Sequence, residues 1–204
     1  MNVKQIHARQ QVAHEAAKLM VESGIRDYQL AKRKAAGRLG MAESRDLPRN
    51  DEIERAREAY QRLFGDEERS RHVMALRRHA LEAMRLLEPF GPRLVGPVLS
   101  GTADRHSEIC LHLFSDPPEA VAMFLLDHRI AHDQGEARIR FQADGHERLP
   151  AFRFMAGDTQ VELVVFSARA RRRSPLSPVD GRPMRRAKLA EVAALVEAPE
   201  RACP

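Results

Sequence analysis

Apolar residues recur at helical spacing through the first 89 positions and at strand spacing after them. Val12, Ala16, Leu19 and Met20 predict a first helix that stops near Gly24. Asp27 is placed to cap a second helix, which carries Leu30, Ala31 and Lys34 and ends near Gly40. A loop over 41–49, containing Pro48, leads to Asn50 as the N-cap of a third helix. Ile53, Ala56, Tyr60 and Leu63 form its apolar stripe, and Gly65 breaks it. A fourth helix is expected over 67–88, with Val73, Leu76, Ala80, Met84 and Leu87 on one face; Pro89, Gly91 and Pro92 end it. The period then changes. Residues 94–99 are short and apolar and predict a strand. Residues 108–114 alternate, with Ile109, Leu111 and Leu113 on one face and Glu108, Cys110, His112 and Phe114 on the other. An apolar helix follows over 117–128, then three strands over 137–141, 151–155 and 160–166, punctuated by the turns Asp144-Gly145 and Gly157-Asp158. Residues 167–187 are rich in Arg, Ser and Pro and read as a linker or an ordered arm. Leu189, Val192 and Leu195 mark a last short helix over 188–197.

This order is an α+β arrangement, an N-terminal helical region followed by a small mixed sheet with flanking helices. The expected divisions are a helical region over 1–89, a sheet core over 90–166, and an Arg/Pro-rich linker with a short helix over 167–204. Hydrophobic residues at 43% and charged residues at 31% exclude a disordered chain. With no Trp and few aromatics, the core must be built from Leu, Val, Ala and Met. Cys110 and Cys203 are far apart and imply no disulfide framework. The N-terminus has no apolar signal region and the longest apolar run, 120–126, is too short to span a membrane, so the expectation is a cytoplasmic protein. The net charge of +5 permits a nucleic-acid partner. The positive excess is local: Arg169, Arg171, Arg172 and Arg173, then Arg182, Arg185, Arg186 and Lys188.

Residues 94–114 read LVGPVLSGTADRHSEICLHLF. Gly96 and Gly101 bracket a short apolar stretch, the polar loop Thr102-Ala103-Asp104 follows, and Ser107 precedes an alternating strand. This stretch resembles the nucleotidyltransferase superfamily, the fold of DNA polymerase beta and of minimal nucleotidyltransferases. The family pattern is a strand ending in Gly-Ser, a second Gly, a polar loop, and Ser-Asp-hydrophobic-Asp on the next strand. The helix and strands that follow agree in order. The resemblance implies transfer of a nucleotidyl group from a nucleoside triphosphate with Mg²⁺. Such chemistry needs divalent ions that bridge phosphates and neutralise developing charge. Two carboxylates at i and i+2 on a strand share a face, about 6–7 Å apart, and a third on a neighbouring strand completes the cage. Glycines let main-chain N–H groups approach the phosphates. On this resemblance Gly96, Gly101, Thr102 and Ser107 contact phosphates and Arg105 neutralises charge. Glu108 and Glu162, the latter in QVELVVF, are the metal ligands and catalytic carboxylates.

The chain departs from the pattern at its anchors. Pro97 stands at the Ser position, Glu108 at the first Asp and Cys110 at the second, and a thiol is a poor partner for Mg²⁺. Zinc held by Glu108, Cys110 and His112 is disfavoured, because Glu108 and His112 lie roughly 13 Å apart on a straight strand. His128 and His132 straddle a helix end and read as surface residues, and Lys32, Arg33 and Lys34 read as surface charge. The Arg169–Arg173 run next to a nucleotide-type site fits RNA, tRNA or triphosphate binding, without aromatics for base stacking. Two functions follow: an enzyme of nucleotidyl transfer to an unknown acceptor, or a catalytically inactive module of the same fold that binds nucleotide, RNA or a protein partner. A DNA-binding role for the N-terminal helices is the third, weaker reading.

Overall fold

The structure, a computed structural model, describes residues 3–41, 47–63, 66–142 and 145–198. Gly65, Asp144, Cys203 and most of the expected 41–49 loop lie outside these residues. The chain forms two compact units. One comprises residues 1–70 with the short segments 104–106 and 178–180; the other comprises 71–103, 107–177 and 181–204.

The first unit is helical: α1 (Val3–Ser23), α2 (Tyr28–Arg38) and α3 (Asn50–Leu63). Its core is rich in alanine. Ala13, Ala16 and Ala17 of α1 bury together with Ala31, Ala35 and Ala36 of α2 and with Ile53 and Ala56 of α3. Small side chains let helix backbones approach closely and lose little rotamer freedom on burial. Asp27 caps α2 as expected, accepting from the N–H groups of Gln29 and Leu30 at 2.7 and 3.0 Å. Asn50 is not the cap of α3 but its first residue. The Glu52 side chain instead reaches back to the Arg49 N–H at 2.7 Å and also pairs with Arg9. Arg33 and Lys34 are exposed, but Lys32 is buried, and burial lowers its amine pKa from the usual lysine value.

The second unit is the sheet. It runs α4 (Asp66–Leu86, from Arg71 onward), β1 (Arg93–Val95), α5 (Gly96–Ser100), β2 (Ile109–Phe114), α6 (Glu119–Asp127), β3 (Asp133–Gln142), β4 (Gly145–Ala156), β5 (Thr159–Phe166) and α7 (Leu189–Glu197). The strand order is β1-β2-β5-β4-β3. β2 and β5 are parallel and every other neighbouring pair is antiparallel. The class is therefore α+β with a mixed sheet.

One face of the sheet carries the main core. Leu94, Ile109, Leu111, Leu113, Phe152, Phe154, Val161 and Leu163 bury with Val73, Leu76, Ala80 and Met84 of α4, with Val121 and Leu125 of α6, and with Val192 of α7. This explains why the compact units divide near residue 70, whereas the sequence placed the division at 89. The apolar stripe of α4 belongs to the sheet's core, and Pro89 ends the helix without ending the unit. The opposite face carries a smaller cluster, Phe114, Val164 and Phe166 with Leu149, Phe141 and Ala170.

The strand expected over 94–99 stops at Val95. Gly96 adopts φ +73° and Pro97 has no N–H to give a ladder, so the chain turns into α5, which Gly101 closes at φ +84°. β3 and β4 are longer than expected, because charged residues on both sides of their outer halves mask the period of two. Residues 167–187 are not a loose tether. A 3-10 turn over Ala168–Arg172 follows β5, and Leu94 and Ala187 exchange backbone hydrogen bonds of 3.0 and 2.9 Å. No helix among the described residues is long and apolar enough to cross a membrane.

Leu111 lies between Leu94 and Leu163 in the register and is fully buried. Leu111→Ala is expected to cost about 2–5 kcal/mol, read as a fall in urea midpoint at unchanged slope.

Candidate metal centre

Parallel pairing of β2 with β5 sets Cys110 beside Glu162, and antiparallel pairing of β5 with β4 sets Arg153 beside Glu162. Because Ile109, Leu111 and Leu163 point into the main core, Cys110, Glu162 and Arg153 point to the other face. Val95 of β1 and Asp133 of β3 extend the same row across the sheet. Glu108 sits just ahead of β2. Ligand atoms of Glu108, Cys110 and Glu162 all lie within 4.8 Å of one another, and each residue is half-buried. Ligand atoms around one four-coordinate ion stand about 3–4 Å apart, so small side-chain adjustments close the cluster on a single cation. The structure thus brings the two carboxylates expected from the sequence together with the Cys110 thiol.

Arg153 is the neighbour that sequence reading missed. Its Nε and Nη2 donate to Glu162 Oε1 at 3.0 and 2.5 Å. The Arg153 side chain is 40% exposed, so the pair contributes no more than about 1 kcal/mol to stability. Its importance is electrostatic: a fixed positive charge already compensates one carboxylate of the cluster. The signal was legible, since Arg153 lies out of phase with Phe152 and Phe154, just as Glu162 lies out of phase with Val161 and Leu163. The register that joins them was not.

Two oxygen donors and one sulfur donor do not suit Mg²⁺, which demands near-octahedral oxygen coordination. A thiolate with carboxylates suits borderline divalent ions.

The other residues singled out from the sequence fall into three groups. Gly96 follows Val95, the partner of Cys110, and so continues the chain past the cluster's row. A Cβ at Gly96 would meet nothing within 4 Å, so its backbone is open. At the far end of α5, Arg77 donates to the carbonyls of Val98 and Leu99 at 3.1 and 3.2 Å. The Thr102 hydroxyl lies 3.0 Å from that of Ser100, and half-buried Ser107 directly precedes Glu108. Arg105 belongs to the helical unit, where its guanidinium donates to the Glu22 carbonyl at 3.2 Å; it is not a member of the cluster.

His112 is not a ligand in this cluster either. It is buried against Phe166, ring centroids 4.5 Å apart, and its Nδ1 has no hydrogen-bond partner. Burial, and secondarily the Arg186 charge, pushes its pKa down to about 3. His128 caps the end of α6 and stacks on Phe124, while His132 packs edge-on to Phe152, so the two histidines serve different neighbours.

No protein-family model, no curated protein and no solved structure matches the chain.

His112 generates a pH prediction. A folded-state pKa below the unfolded value of about 6.5 means that the unfolded chain binds the extra proton first. Stability is then complete above pH 6.5 and falls as pH drops toward 3, at up to about 1.4 kcal/mol per unit. His112→Leu removes this component. Between pH 6.5 and 5 the wild type should lose about 2 kcal/mol more than the variant in urea unfolding, and equal losses would contradict a neutral buried histidine.

Proposed function

We propose that the chain is a nucleotide-binding protein of the nucleotidyltransferase kind that has given up transfer. In this reading Glu108, Cys110 and Glu162 hold one Zn²⁺, whose fourth position accepts a phosphate oxygen of a nucleoside triphosphate. The observation that carries the reading is the convergence of three ligand atoms within 4.8 Å, at the positions where the family pattern has its carboxylates. Transfer by a metal pair needs a second ion about 3.5–4 Å from the first, between shared carboxylates. Cys110 supplies a soft donor where that ion needs a hard one, and Arg153 already engages Glu162. Gly96, with an open backbone at φ +73°, supports the approach of a phosphate from the β1–α5 turn.

Nucleotidyl transfer with Mg²⁺ to an acceptor hydroxyl is the second reading. It is favoured by one observation: two carboxylates, Glu108 just before β2 and Glu162 within β5, both reach the cluster.

Calorimetric titration of ATP, GTP, CTP and UTP with Zn²⁺, with Mg²⁺ and with EDTA separates the two. Binding that needs Zn²⁺, falls at least about tenfold in Glu108→Gln, and releases no pyrophosphate supports the binder. Pyrophosphate release that needs Mg²⁺ and disappears in Glu108→Gln supports transfer. Absence of any metal-dependent binding rejects both.

Arg153 supplies a further check. Arg153→Met removes the competing charge from Glu162, so Zn²⁺ affinity should rise several-fold in competition with a chromophoric chelator. A fall in affinity would mean that Arg153 orients Glu162 for the metal.

A further inference from the structure

Three arginines from separate stretches of the sheet unit meet over one aromatic ring. The guanidinium carbons of Arg93, Arg171 and Arg186 lie 6.0, 5.4 and 5.5 Å from the centre of the Phe114 ring. Each is placed by backbone structure. Arg93 is on β1 opposite His112. Arg171 is on the 3-10 turn after β5. Arg186 adjoins Ala187, which pairs with Leu94.

The donors of Arg93 and Arg186 find carbonyls, not carboxylates. Arg93 Nη1 donates to the Gly91 and Pro92 carbonyls at 3.1 and 2.9 Å, and Arg186 Nη2 donates to the Arg171 carbonyl at 2.9 Å. Among the described residues none of the three forms an ion pair. Glu191 is the one acid whose field reaches Arg93, and its carboxylate accepts from the Lys188 N–H at the start of α7. Arg186 Nη1 is buried without a partner, and so is the neighbouring His112 Nδ1. Burial pushes Arg93 and Arg186 below the usual guanidinium range, helped by the charge of Arg171 on Arg93 and by that of Arg93 on Arg186, while Glu191 opposes the shift at Arg93.

Covering Phe114 explains one arginine, whose stem and planar head suit an aromatic face. It does not explain three cations gathered without an ion pair and with Glu191 as the one nearby acid, because like charges held close destabilise a fold unless an anion joins them. Three guanidinium groups gathered around one ring fit a phosphate group, which accepts several charge-assisted hydrogen bonds at once. Arg171 is exposed, so the spot is reachable from solvent.

We propose that Arg93, Arg171 and Arg186 form a phosphate-binding site that needs no metal ion. It is built from residues other than those of the Glu108–Cys110–Glu162 cluster, and Phe114 stands four residues along β2 from Cys110, roughly 13 Å on a straight strand. The phosphate belongs either to a nucleotide in solution or to a nucleic-acid backbone.

The test is titration of inorganic pyrophosphate into the full chain in EDTA, which silences any metal-held nucleotide and separates this site from the function proposed above. Wild type should bind, Arg171→Gln and Arg186→Gln should each weaken binding at least about tenfold, and exposed Arg138→Gln, which loses the same charge, should bind as wild type. No binding by wild type, or equal weakening in all three variants, overturns the site. Melting without ligand at low salt guards against misfolding. The Arg171→Gln and Arg186→Gln proteins should melt at or above the wild-type temperature, because a repelling charge has gone. Lower melting would mean that the arginines hold the fold, and would also overturn the proposal. In wild type, displacement of pyrophosphate by ATP and not by oligouridylate assigns the site to a free nucleotide. Displacement by oligouridylate, weakening steeply with salt, assigns it to a nucleic-acid strand; either upholds it.

Discussion

Everything of chemical interest in this protein depends on the parallel, in-register pairing of β2 with β5. That ladder runs from Ile109 beside Val161 to Phe114 beside Phe166. It buries Leu111 and Leu163 on one side and, by the strict alternation of strands, presents Cys110, Glu162 and their neighbours on the other. A slip by one residue would send Glu162 into the helical core and Leu163 to the open side. The cost of burying an unpaired carboxylate forbids it, so hydrophobic burial on one face fixes the position of the donors on the other.

The face opposite the main core is graded along the strand direction. Glu108, Cys110, Glu162 and Arg153 form a polar end, His112 lies in the middle, and Phe114 with Phe166 forms an aromatic end. The two ends handle charge in opposite ways. At the first, negative groups gather and one arginine offsets them. At the second, positive groups gather and a ring with a negative face lies beneath them.

Much of this was legible in the sequence, for reasons specific to each residue. The alternation in 108–114 fixed which side chains share a face, and helical spacing marked all the helices except α5. Periodicity alone did not indicate that Glu108 and Glu162 converge; the expectation rested on a resemblance in the glycines and polar loop of 94–114. α5 was read as strand because Val98 and Leu99 are apolar on either period, and only the left-handed backbone at Gly96 decides between them. Arg153 could be assigned a face but not a partner, since pairing across strands is a matter of register. The arginine site was out of reach. Arg93, Arg171 and Arg186 are distant in sequence and meet only because residue 187 bonds to residue 94.

That bond has a consequence for the solution behaviour of the sheet. β1 is an outer strand of only three residues, and an outer strand offers unpaired backbone groups to any other chain. Ala187 occupies that margin at Leu94, while the opposite margin, β3, is guarded by the charges of Glu136, Arg138 and Arg140. A fragment ending at residue 166 would keep all five strands yet uncover the β1 margin and strip Arg171 and Arg186 from Phe114, leaving a sticky seam beside an aromatic ring covered by Arg93 alone. The arginine-rich tail is thus also a guard against self-association.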